Sequence, residues 1–193
     1  MGKTFCLSLL VFGTTIFSAR GDIIPALSPN PPAAAVGGFT WNYAGFVTNL
    51  QTVEPGDFFT IYDFGAFVPK SNLQPTGWTF SSALVGVNPP LVIPTDDPAV
   101  RNLTWTYTGT TPIDGIARLG DFSVIASTDQ LSVSTFAAQG TRTSGPNAGT
   151  KIDNVGRIVV PVPEMSALLP ILSVCGAAIA AAIPSFLRRR KTS

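Results

Sequence analysis

Thr104-Trp105-Thr106-Tyr107-Thr108 alternates large aromatic rings with threonines over five consecutive positions. Successive side chains of a strand point to opposite faces, so this spacing puts both rings on one face and the hydroxyls on the other. An antiparallel sheet with one packed face and one solvated face reads in this way. Outward from it, runs rich in Thr, Val, Phe, Tyr and Trp recur between Gly, Pro and Asp clusters. They are Phe39 to Leu50, Phe58 to Phe64, Trp78 to Val85, Asn102 to Thr108, Ala117 to Ala126, Gln130 to Ala138 and Val155 to Val160. The segment 22–38 ahead of them, with Pro25, Pro29, Pro31, Pro32 and Ala33 to Ala35, reads as an extended, poorly ordered leader.

An internal echo supports the same class. Trp41-x-Tyr43-x-Gly45, followed by Gly56-Asp57-Phe58 and Ile61, recurs 64 residues later as Trp105-x-Tyr107-x-Gly109, followed by Gly120-Asp121-Phe122 and Ile125. Trp and Tyr two apart present both rings to one core, and Gly-Asp ends a turn so that the next Phe starts a buried strand. Two equivalent β-loop-β units, one in each half of the domain, are expected. The fold class that follows is all-β: over 39–161, an antiparallel, Ig-like β-sandwich of about seven strands. To it are added an N-terminal signal helix and one C-terminal transmembrane helix.

The two ends of the chain read differently from its middle. Met1 to Gly21 has a positive start at Lys3 and an apolar run from Phe5 to Phe17, which at 13 residues is too short to span a bilayer. It reads as a signal peptide, with Ala19-Arg20-Gly21 before Asp22 as the preferred cleavage site. Ser166 to Leu187 is a charge-free run of 22 residues. As a helix it reaches ~33 Å, enough to cross a hydrocarbon core once. Arg188, Arg189, Arg190 and Lys191 follow it and stay cytoplasmic by the positive-inside rule, which places the β domain on the far side. Gly176 and Ala180 give the helix a small-xxx-small face for another helix.

Pro163-Glu164-Met165, then one apolar helix, then Arg188-Arg189-Arg190-Lys191, resembles the PEP-CTERM sorting tail recognised by exosortases. The resemblance covers the tail, 162–193, with Met165 standing where the family has a second proline. It implies that a membrane-embedded exosortase cleaves near the motif and releases the protein, or relinks it to the envelope or exopolysaccharide. The partners implied are therefore the membrane, an exosortase and exopolysaccharide. The runs Gly56 to Asp63, Asn102 to Tyr107 and Ser144 to Thr150 look like segments of exported proteins with the same tail.

Composition narrows the chemistry. Asp22 to Pro161 holds ten acids and six bases, so the exported part is mildly acidic and lacks a footprint for nucleic acid. The chain's two cysteines, Cys6 and Cys175, both lie in the apolar ends, which leaves the β domain without disulfides. Histidine is absent, and with it Ser-His-Asp triads, Cys-His dyads and the commonest zinc ligand. Glu54 is the sole glutamate before the tail, and Asp57, Asp114 and Asp121 adjoin glycines as turn residues, a poor set for a two-carboxylate hydrolase. Asp96-Asp97, with Asp63 or Asp153, is a weaker candidate for a loop calcium site. Trp41, Trp78 and Trp105 allow a carbohydrate-binding face as the alternative to core packing. The expectation is a non-enzymatic exported envelope or matrix protein with no cofactor and no catalytic or metal-binding residue, the alternative being a surface-anchored carbohydrate-binding module.

Overall fold

A computed structural model describes residues 23–163, and all of its regular structure is β. The signal peptide 1–21, the transmembrane run 166–187 and the basic end 188–191 lie outside the described residues. The strands are β1 (Ile23–Leu27), β2 (Ala33–Ala35), β3 (Gly38–Val47), β4 (Gln51–Val53), β5 (Phe58–Ile61), β6 (Trp78–Ala83), β7 (Asn102–Tyr107), β8 (Ile113–Asp114), β9 (Ala117–Ala126), β10 (Leu131–Arg142) and β11 (Lys151–Pro161). They form two antiparallel sheets, one of them strongly curled into a half-barrel.

In the four-stranded sheet β3 is central, with β1 and β2 end to end along one edge and β9 along the other. In the seven-stranded sheet the order runs β6, β7, β5, β10, β11; β4 follows β5 along the same edge of β10, and β8 pairs with β4. Each of the seven expected runs contains a strand, and β1, β2, β4 and β8 add to them. The expected leader is corrected here, because Ile23 to Leu27 and Ala33 to Ala35 are paired strands and Ile23 belongs to the core. Pro25 lacks a backbone donor, which an edge strand tolerates.

The core lies between the sheets and is dominated by rings. Phe122 of β9 meets Phe59 of β5 and Trp78 of β6 edge to face, each with centroids 4.9 Å apart, and Phe59 stacks on Trp105 of β7 at 5.1 Å. Each such pair contributes about 0.5–1.5 kcal/mol beyond its area burial. Trp41 and Trp105 are fully buried and Trp78 nearly so.

Two expectations about this core change. The threonine face of β7 meets water at Thr106 and Thr108 but not at Thr104: the Thr60 and Thr104 hydroxyls bond each other at 2.9 Å, and the loop after β6 covers them, its Val87 carbonyl accepting from Thr60 at 2.9 Å and from the Tyr62 hydroxyl at 2.8 Å. The internal echo also does not give one unit per sheet. The Trp-bearing β3 pairs with β9, the second strand of the later copy, and the Trp-bearing β7 pairs with β5, the second strand of the earlier one. The two copies therefore exchange strands, and each spans both sheets.

Candidate functional site

The junction with the C-terminal tail is the first place to look, because the residues with an expected sorting role begin there. β11 ends at Pro161, and the Val162 N–H donates to the Gln130 carbonyl at 3.0 Å. Pro163, the first residue of the expected motif, packs on Gly65: a Cβ at that glycine would lie 2.5 Å from the Pro163 nitrogen and from the Val162 carbonyl oxygen. Phe64, Phe67, Val100 and Arg101 line a cleft of about 220 Å³ beside it. The last strand thus delivers the chain to a fixed exit point. Glu164, Met165 and the stop-transfer residues Arg188, Arg189, Arg190 and Lys191 lie outside the described residues.

The loop acids are occupied as backbone staples. Asp63 accepts from the Asp97 N–H at 2.7 Å and from the Ser134 hydroxyl at 3.0 Å, Asp96 accepts from the Asn102 amide at 2.9 Å, and Asp97 accepts from the Ala99 N–H at 2.9 Å. Asp153 is elsewhere, accepting from the Leu91 N–H at 2.8 Å and the Gln139 amide at 3.0 Å. The fold thus brings Asp63 to Asp96-Asp97 and leaves Asp153 apart. Among the described residues no three His, Cys, Asp or Glu side chains gather where one metal ion would sit. Burial pushes the Tyr62 phenol up, and the nearby Asp96 charge adds to the shift. Burial alone holds the Tyr43 phenol well above its ordinary range, with its O–H donated to the Val159 carbonyl at 2.9 Å.

The tryptophans offer no sugar platform, since all three are core residues. Trp41 donates its indole N–H to the Thr128 carbonyl at 3.0 Å.

A constellation that the sequence did not announce surrounds Asp57. This carboxylate is fully buried, yet Lys151 Nζ stands 2.6 Å from its Oδ1. Its Oδ2 accepts from the Glu54 N–H at 2.8 Å and the Thr141 hydroxyl at 3.0 Å. Lys151 Nζ also donates to Thr141 Oγ1 at 2.8 Å and lies 3.8 Å from Glu54 Oε2. Strand register explains the assembly: Lys151 pairs with Thr141 across β10 and β11, and Thr141 pairs with Thr52 on the opposite edge, next to the turn that carries Glu54 and Asp57. Glu54 and Asp57 are three residues apart, whereas Lys151 is 94 residues from Asp57, so no local pattern marks the group.

No protein-family model, curated protein or solved structure matches this chain.

Proposed function

We propose that the chain is an exported, non-enzymatic component of a cell envelope or extracellular matrix, sorted and processed through its C-terminal tail by an exosortase. The observation that carries this reading is the order of the tail: Pro163-Glu164-Met165, a charge-free run of bilayer length, then four consecutive basic residues. Before processing, the protein crosses the inner membrane once with its C-terminus in the cytoplasm; afterwards the β domain stays with the envelope, the outer surface or the matrix, where exopolysaccharide is its partner.

Two features of the domain agree with a role outside catalysis. Its loop acids are used by backbone and side-chain donors, and its tryptophans by the core. We read its two sheets more finely as the layers of an immunoglobulin-like sandwich, which is supported by the rings of both sheets meeting in one core.

Mass spectrometry of the protein from its native host tests the sorting claim. A mature C-terminus near Pro163 is the expected result, and an intact terminus at Ser193 would refute processing.

A further inference from the structure

We propose that Lys151 and Asp57 are the partners of an intramolecular amide, closed by the protein itself. Such condensation needs an amine held against a carboxyl group, a carboxyl group shielded from water, and a proton carrier beside the amine. All three are present. Lys151 Nζ is 2.6 Å from Asp57 Oδ1, so the reactants are already paired and no encounter step remains. Asp57 has no exposure to solvent, and a carboxylate removed from water loses the hydration that makes it inert, which favours the neutral amide over the buried ion pair. Glu54 Oε2, 3.8 Å from Nζ, is the proton carrier.

The hydrogen bonds divide the two oxygens of Asp57 between different fates. Oδ2 accepts from the Glu54 N–H and the Thr141 hydroxyl, two fixed donors placed to stabilise negative charge on that atom as the carbonyl carbon becomes tetrahedral. Oδ1 faces the amine. The Lys151 ammonium passes one proton to Glu54, and the neutral amine attacks Asp57 Cγ. Glu54 returns that proton to Oδ1, a second leaves the nitrogen for the same oxygen, and Oδ1 departs as water. One Cγ–N bond forms and one Cγ–Oδ1 bond breaks. The ammonium and carboxylate become an amide and one water, with no oxidant or reductant, and Glu54 ends as it began. Glu54 and the Lys151 side chain are both part-exposed, which gives the water a way out.

The bond would join the turn before β5 to the start of β11 and close a loop spanning most of a β domain that holds no cysteine. Loop closure of this length restricts the unfolded chain in the way a long-range disulfide does.

The test is peptide mapping of the purified full-length chain after denaturation and trypsin digestion, run beside Lys151→Arg and Glu54→Gln. Wild type is expected to yield a branched peptide, one water lighter than its two arms, that links the segment ending at Lys70 to the segment ending at Arg157, uncut after Lys151. Lys151→Arg keeps the positive charge but should give only linear peptides, and Glu54→Gln should slow linkage at least tenfold. Folded wild-type protein that yields only linear peptides, cut after Lys151, would overturn the proposal. Linkage in Glu54→Gln at the wild-type rate would overturn the proton-carrier role of Glu54.

Discussion

Gly56-Asp57-Phe58 and Gly120-Asp121-Phe122 are the same three letters in opposite surroundings. The first stands in a turn: Gly56 has φ +93°, and Asp57 closes the turn by accepting from the Glu54 N–H. The second interrupts a strand, because the register between β3 and β9 shifts just after Gly45 and just before Gly120, leaving Leu119 as the extra residue of a β-bulge. Asp57 therefore points inward to Lys151, whereas Asp121 is half-exposed beside Arg118. The Phe differs as well. Phe122 packs in the ring core, but in the first copy Phe59 takes that place, and Phe58, although buried, joins none of the ring pairs. A short motif fixes turn or bulge chemistry only together with the pairing partner it meets.

The largest effect should separate the two ion pairs. Lys151→Met strands a fully buried carboxylate and is expected to cost up to about 5 kcal/mol in urea unfolding, beyond any covalent bond lost. Arg118→Met at the exposed pair should move the midpoint only slightly. Equal losses in the two variants would break the comparison.

The ring positions come next. Phe122→Ala and Phe59→Ala should each cost about 3–4 kcal/mol, because each empties a site enclosed by Trp78, Trp105 and the other Phe. Phe58→Ala should cost clearly less, although sequence alignment makes Phe58 the counterpart of Phe122. The glycines follow at smaller scale. Gly120→Ala combines φ +117° with a Cβ driven into the Pro75 ring, for about 2–3 kcal/mol. Gly56→Ala meets open space and pays only the backbone strain, about 1 kcal/mol. Thermal melts of the two variants give the difference directly.

These contrasts show which parts of the molecule were legible in advance. From Phe39 onward, each strand of four or more residues was marked by its aromatic or β-branched composition, whereas the short β4 and β8 were not. β1 and β2 were not, since Pro25 and three alanines have little intrinsic preference for strands and are held by their pairing on β3. The cover over Thr104 in β7 was hidden for a similar reason: only the path of the loop through Val87 decides that Thr60 and Thr104 are shielded. At the candidate sites, Pro163 was identified from the motif, but its seat on Gly65 depends on where β11 ends. The Asp57 group was invisible because Lys151 and Thr141 reach it through strand register, which no spacing along the chain encodes.

The smallest effect is a titration. The Arg118 hydrogen bond to Asp121, reinforced by the Asn42 amide at 2.9 Å, holds this carboxyl below its ordinary value of 3.8. A carboxyl whose value falls on folding stabilises the protein above the unfolded value, and that contribution is lost as pH drops from about 3.8 through the folded value. Solvent screening at a half-exposed pair keeps the amount small. Asp121→Asn should therefore match wild type less well at pH 7 than at a pH below the folded value, where both side chains are neutral. The difference between their urea midpoints should shrink across that window and shrink again in high salt. A gap that stays constant as pH falls from 7 through the acid range would mean that Asp121 acts through the shape of the bulge, and the contrast with Asp57 would then rest on geometry alone.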